Sequence, residues 1–196
     1  MPQVIDVSEQ LDRLGRSLVS NLPELEHLDL NTILFTFSRS RRPGRGGLLA
    51  RITPLRGKKG SRRLQRTRGR YRETWEYPSL EHNGREILYL ITILLPRFLH
   101  LAPRERLSTI LHELWHVSPA CDGDIRRFTG ARYAHGTQRD GYHTRVESLA
   151  ERYLGQGHIL PTLLTISADD WSNGHWRIHG LRIRRPRARL LERRKA

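Results

Sequence analysis

The sequence has little cysteine, no long apolar run and, over two long segments, almost no acidic residues. One cysteine among 196 residues, Cys121, excludes an internal disulfide and any four-cysteine zinc ribbon within the chain. A bound metal would therefore take most of its ligands from imidazole and carboxylate groups. No run approaches the roughly 20 apolar residues that span a bilayer, and the first residues lack the order of a secretory signal. We expect a cytoplasmic protein with no membrane partner.

The shortage of acidic residues leaves the chain strongly basic, with a net charge of +15. Residues 39–72 hold 14 Arg or Lys and no Asp or Glu, and residues 177–195 hold 9 against one Glu. Segments of this kind favour nucleic acid as a partner, because basic side chains that neutralise its phosphates release bound counterions and this release favours the complex. The alternative is a solubilising loop and tail without a specific partner. We expect nucleic acid contact without sequence-specific readout, and the sequence leaves the oligomeric state open.

Hydrophobic periodicity predicts mostly strands in the first half of the chain and helices in the second. Residues 7–21 have the apolar spacing of an amphipathic helix. Residues 31–38 and 48–55 resemble two strands of a hairpin around a glycine-rich turn. Residues 57–72 are expected to form a basic loop, without fixed structure unless a partner binds. The apolar run at 86–99 predicts a buried strand, so the order of elements indicates an α+β fold.

Two helices are predicted in the second half, at residues 101–117 and 142–154. Pro103 falls near the first turn of the first helix, where a missing N–H is tolerated. This helix also has a stripe at helical spacing, which we expect to be buried. The stripe consists of Leu107, Ile110, Leu111, Leu114 and Val117.

The motif His112-Glu113-x-x-His116 lies on the first of these helices. Positions i and i+4 project from one helix face, so His112 and His116 can present imidazole nitrogens to one metal ion. Glu113 can reach the open coordination position and take a proton from a water that zinc has activated. This is the arrangement of the HExxH metallopeptidases. The alternative is two incidental histidines, but the motif falls beside the predicted buried stripe rather than on the far polar face.

A catalytic site of this type needs a third protein ligand, and three residues are candidates. His135 precedes the second predicted helix and is favoured. Asp122 has the spacing of the HExxHxxGxxH/D class, but Pro119 stands where that class has glycine and cannot adopt positive φ. Glu147, on the second predicted helix, would complete a set of two histidines and one glutamate.

Several other side chains have weaker claims to a role. Tyr133 and Tyr142 are candidate donors to the oxyanion of a tetrahedral intermediate. Trp171 and Trp176 could stack on bases, although such residues more often anchor a C-terminal segment. The remaining candidates are interpreted as surface or structural groups: His143, His158, His175, His179 and Cys121.

The strings TILHELWHVSPACDGDIRRF and RYAHG, with the apolar run before them, resemble the phage metallopeptidase family of small phage and prophage proteins. The resemblance covers roughly residues 48–154. It implies a zincin-like fold with an N-terminal sheet on the HExxH helix, His112 and His116 as metal ligands, and Glu113 as the catalytic base. A phage or prophage protein would act in the host cytoplasm. More distantly, His135-Gly136 before a helix is similar to the third-ligand element of SprT-like proteases, which act on proteins bound to DNA.

Together these patterns predict one zincin-like α+β domain over residues 1–175 and a basic tail at 176–196. A small antiparallel or mixed sheet would pack on the motif helix. The predicted activity is zinc-dependent hydrolysis of a protein or peptide substrate, with nucleic acid bound at 39–72 and 177–195. One alternative is a nucleic-acid-binding protein whose metal is structural. Another is a metal-dependent hydrolase of a non-peptide bond.

Overall fold

The computed structural model of the protein describes residues 2–40, 47–127 and 139–195, with the backbone alone at 139–142. The elements follow in the order β1 (Gln3–Asp6), α1 (Val7–Asn21), β2 (Ile33–Arg39), β3 (Ala50–Pro54), β4 (Arg63–Arg68), β5 (Tyr71–Glu76), β6 (Glu81–His82), β7 (Arg85–Glu86), β8 (Tyr89–Leu95), α2 (Pro103–Trp115), α3 (Arg139–Gly155), α4 (Thr162–Thr165), α5 (Ala168–Ser172), β9 (Trp176–His179) and β10 (Arg189–Lys195). This mixture of helices and small sheets is the α+β class that the sequence predicts. Over the described ranges, no helix has the length and apolar content needed to cross a membrane.

The main core contains a mixed three-stranded sheet in the order β2-β8-β3. β8 pairs in parallel with β2 and antiparallel with β3. Its sequence YLITILL is almost entirely buried, as expected of a strand covered on both faces. The predicted hairpin between β2 and β3 is therefore wrong. Six of the seven residues of β8 are apolar, a larger share than in β2 or β3, and β8 takes the central position, where both of its edges are paired.

Helices α1 and α2 contribute to one core cluster together with this sheet and α3. α1 has the bounds that the apolar spacing predicts, and Leu11, Leu14 and Leu18 are buried as expected. α2 contacts both β3 and α3. The stripe predicted for α2 is fully buried, with zero exposure at Leu107, Ile110, Leu111, Leu114 and, just beyond the helix, Val117.

A second sheet, in the order β10-β5-β4, contains parts of both basic segments. Residues 57–72, predicted as a loop, contain β4 and the start of β5, which pair antiparallel. Residues 176–196, predicted as a tail, contain β9, which pairs with β1, and β10, which pairs with β5. Leu64, Trp75 and Leu190 lie side by side across the three strands. This apolar contact and the backbone hydrogen bonds order segments whose composition alone suggested disorder.

Arg106, in the first half of α2, joins that helix to two neighbouring segments. The side chain is buried and donates four hydrogen bonds of 2.5 to 3.1 Å. The acceptors are the backbone carbonyls of Leu99, Leu101, Leu163 and Ile166. Burial lowers the pKa of Arg106. Carbonyl dipoles before α2 and around α4 therefore compensate this guanidinium for its loss of hydration.

Replacing Arg106 with Met keeps much of the side-chain volume but removes every donor to those carbonyls. We expect the free energy of unfolding to fall by about 3 kcal/mol, since buried carbonyls lose their partners. Urea denaturation followed by circular dichroism measures this change. Arg104→Met is the matched control, because Arg104 is half-exposed and pairs with the exposed Glu147 and Glu151. Equal losses in the two variants would contradict the role given to Arg106.

Candidate active site

The motif HELWH occupies the C-terminal end of α2. The helix begins with Pro103 in its first turn and runs to Trp115, with His116 as the C-cap residue. The N–H of His116 donates to the carbonyl of Glu113 at 3.2 Å. The motif therefore lies on a continuous helical turn, as its spacing predicts.

The two histidine side chains converge on each other. Nε2 of His112 lies 3.1 Å from Nε2 of His116, and the ring planes are nearly perpendicular, at 81°. Two nitrogens bound tetrahedrally to one zinc ion at roughly 2.0–2.1 Å lie about 3.3 Å apart. His116 is buried and His112 is partly exposed, so the pair is open on one side. The donor types and their separation fit a zinc ion.

Glu113 lies toward the edge strand β3 and is only 8% exposed. Burial raises the pKa of Glu113 to about 7, and a backbone hydrogen bond with Ile52 of β3 acts in the opposite direction. A carboxyl group with a pKa near neutrality can both accept and release a proton at physiological pH. Glu113 is thus a buried carboxyl group with a raised pKa, and it is adjacent in the chain to His112.

Residues 117–126, which we name the return loop, fold back against the end of α2. The N–H of Arg126 donates to the carbonyl of His116 at 2.7 Å, and Val117 forms a β-bridge with Ile125. The Arg126 side chain donates to the carbonyl of Trp115 at 2.9 Å and covers its indole ring at 4.3 Å. These contacts fix the backbone that carries His116.

Tyr89 connects the return loop to the central strand β8. Its hydroxyl accepts the N–H of Gly123 at 2.8 Å and donates to the carbonyl of Asp124 at 2.9 Å. Burial raises the pKa of Tyr89 to about 12, so the phenol keeps its proton. The loop is thereby held at a fixed position relative to the sheet.

The three candidate third ligands have different positions. His135 lies outside the described residues. The carboxylate of Asp122 accepts the hydroxyl of Ser118 at 2.6 Å inside the return loop. Glu147 is half-exposed on α3 and pairs with Arg104 at 3.2 Å. Within the described part of the chain, no group of three His, Cys, Asp or Glu side chains is arranged to hold a metal ion.

His143, interpreted from the sequence as a surface or structural group, lies beside the histidine pair. Its ring stacks on that of His112, with centroids 5.9 Å apart and planes 27° apart. α3 runs antiparallel to α2 there, because Arg104 near the start of α2 pairs with Glu147 and Glu151. His143, Glu147 and Glu151 are spaced by four, which is the sequence signal for this face. This spacing shows that the three residues share one face of α3, but it does not show that the face contacts α2.

The remaining candidates contribute little to the geometry of the pair. Tyr133 and the Tyr142 side chain lie outside the described residues. Cys121 is partly buried and its sulfur accepts the N–H of Asp29 at 3.4 Å, a structural contact. His158 stacks on Tyr153 at 4.4 Å, in agreement with its interpretation as a structural group.

A family model described as "Putative phage metallopeptidase" matches residues 5–153 of the chain. The match extends from β1 into α3 and includes the central sheet, the motif helix and the return loop. The chain therefore belongs to this family, whose description implies a bound metal. No curated protein and no solved structure matches the chain.

Gly123 in the return loop has φ of +88°, and a Cβ built there would lie 2.5 Å from Cγ of the buried Arg56. We expect Gly123→Ala to lower the free energy of unfolding by about 2–4 kcal/mol, from backbone strain and overpacking together. Gly84→Ala is the control, because Gly84 has φ of +70° but no atom within 4 Å of such a Cβ. Denaturant titration of both variants measures the difference. Equal destabilisation would mean that the contact with Arg56 does not constrain the loop.

Proposed function

We propose that the protein is a zinc-dependent peptidase of the zincin-like type, with His112 and His116 as metal ligands and Glu113 as the general base. The convergence of two Nε2 atoms to 3.1 Å carries this proposal, in a chain that belongs to a metallopeptidase family and buries Glu113, the residue that follows His112. A mixed sheet whose edge strand contacts the motif helix supports the zincin-like fold. When bound, zinc supplies a Lewis acid that polarises a scissile carbonyl and acidifies water.

Glu113 carries out the proton transfers of the proposed reaction. Its carboxylate accepts a proton from the attacking water and returns it to the leaving amine. Burial against β3 gives the carboxyl its affinity for that proton, and the adjoining helical turn keeps it near His112. His112 and His116 would hold the zinc through neutral imidazole nitrogens.

We assign the third metal ligand to His135. Residues 128–138 connect the region after the return loop to α3, and His135 alone among them has an imidazole, thiol or carboxylate. The segment starts after Arg127, whose guanidinium pairs with Asp124 of the return loop at 2.7 Å. It leads into the part of α3 where His143 stacks on His112. Both ends of the segment thus adjoin elements that contact the motif helix, which supports His135 as the ligand.

Metal content tests the ligand set. We expect about one zinc per chain in the wild type and almost none in His112→Ala, His116→Ala or His135→Ala, since zinc sites need these donors. His143→Ala should keep its zinc, because a stacked neighbour is not a ligand. Elemental analysis after dialysis against zinc gives the ratios. Zinc retained in His135→Ala and lost in His143→Ala would transfer the third position to His143.

Glu113→Gln tests the chemistry separately from the metal. We expect zinc to remain bound while hydrolysis of an unfolded protein substrate falls by about 10²- to 10⁴-fold, because the general base is lost. Glu151→Gln, a change to an exposed glutamate, is the control and should keep full activity. Release of peptides, measured by mass spectrometry, gives the rates.

Full activity in zinc-loaded Glu113→Gln would contradict the proposed mechanism. The basic second sheet favours one other function, a nucleic-acid-binding protein whose metal is structural. A structural zinc has four protein ligands, whereas a catalytic zinc keeps a position open. Zinc-bound wild-type protein without hydrolytic activity on protein, peptide or nucleic acid substrates would support that alternative.

A further inference from the structure

A basic concave pocket of about 600 Å³ lies between the second sheet and residues 181–188, which we name the arginine strap. This volume is within the range of small-ligand pockets, roughly 300–1,000 Å³. Among the described residues, no Asp or Glu lines the pocket. Its lining includes two aromatic residues and four arginines: Trp75, Tyr77, Arg66, Arg184, Arg185 and Arg187.

The arginine strap is anchored at both ends. At the start of the strap, the carbonyl of Leu181 accepts a hydrogen bond from the N–H of Phe37 in β2 at 3.0 Å. The N–H of Leu181 donates to Ser8 Oγ at 2.9 Å. Leu181 and Ile183 also pack on a small apolar cluster that contains Leu55. The strap then continues into β10, which pairs with β5. The backbone that carries its arginines is therefore held in place before binding, so binding orders less of the chain.

Trp75 forms an aromatic wall of the pocket on one face of β5. Alternation along the strand puts Tyr71 and Glu73 on the same face, and the register adds Arg66 and Arg68 from β4. The indole N–H of Trp75 donates to the carboxylate of Glu73 at 3.0 Å, which fixes the ring by its edge. From the pocket toward the end of the β4–β5 hairpin, this face thus carries two aromatic side chains and two arginines around the buried carboxylate of Glu73.

The four pocket arginines differ from the nearby arginines of β10 in their ion pairs. In β10, Arg189 pairs with Glu76 at 2.9 Å and Arg193 pairs with Glu73 at 3.4 Å. Within the described ranges, no carboxylate lies at ion-pair distance from any of the four pocket arginines. Their guanidinium groups can therefore bind phosphate without breaking an existing pair, and the planar fork of donors matches phosphate oxygens.

We propose that this surface binds single-stranded nucleic acid, with an unstacked base against Trp75 and phosphates along the arginine strap. A single strand is the favoured partner because a duplex buries its base faces in the stack, whereas an aromatic pocket needs a free face. The pocket reaches Thr53 and Pro54 of β3, next to Ile52, whose backbone contacts Glu113. If the proposed peptidase is correct, the bound strand therefore lies against β3, the same strand whose backbone Glu113 contacts.

Fluorescence anisotropy with a labelled 20-nucleotide single-stranded DNA and the full-length protein tests this surface. We expect the single strand to bind at least about tenfold more tightly than the same sequence as a duplex. Trp75→Ala should weaken binding about tenfold or more, and Trp75→Phe should keep most of it because a stacking face remains. Equal affinity for the duplex or for poly-glutamate would overturn the proposal, as would unchanged binding by a folded Trp75→Ala protein.

Two double variants with the same change in net charge distinguish binding at the pocket from attraction by the overall positive charge of the protein. Arg185→Ala with Arg187→Ala should make the negative slope of log affinity against log salt shallower by about 1.4, or about 0.7 for each phosphate that is no longer neutralised. Arg189→Ala with Arg194→Ala removes arginines that pair with carboxylates and should change the slope much less. Equal effects of the two pairs would contradict the pocket. Binding is measured without a peptide substrate, so a failure of the peptidase proposal and a failure of this surface are separate results.

Discussion

The burial of one face of α2 determines where the motif side chains lie. Four of its apolar residues are completely removed from water, and each such burial stabilises the folded state by roughly 1.5–3 kcal/mol. A rotation of the helix by one residue, about 100°, would expose this stripe, so the rotation is fixed. With the stripe in the core, Glu113 faces β3, while His112 faces α3. The different orientations of Glu113 and His112 thus follow from packing.

Packing fixes the helix but not its last residue, and the return loop provides that further constraint. His116 is the C-cap of α2, where a helix normally frays. The N–H of Arg126 donates a hydrogen bond to the carbonyl of His116. The hydroxyl of Tyr89 holds the same loop through hydrogen bonds to two backbone groups. Tyr89 belongs to the central strand β8, which pairs with β2 and β3. Two sets of contacts therefore hold His116 in place relative to the sheet: the packing of α2 and the hydrogen bonds of the return loop.

Local patterns predicted the motif helix and α1 because their signals are contained within one turn or two. The pairing of β2 and β3 could not be predicted this way, since the competing strand β8 lies more than thirty residues further on. Residues 57–72 were predicted as a loop because arginine dominates their composition, yet their backbone groups pair while the arginines remain at the surface. His143 was missed because its approach to His112 depends on the register between α2 and α3. That register is visible only once Arg104 is known to face Glu147 and Glu151.

The second sheet joins two basic segments that repel each other, and β5 is the strand that makes this possible. Glu73 and Glu76 on β5 lie opposite arginines of both β4 and β10 and form ion pairs with Arg193 and Arg189 of β10, so the central strand places negative charge between two basic strands. Cross-strand pairs of opposite charge stabilise a sheet, whereas like charges directly opposite destabilise it. The arginines of β10 that meet these carboxylates serve the sheet itself. The arginines of the strap line an aromatic pocket instead, so ion pairs within the sheet neutralise only part of the positive charge of the two basic segments.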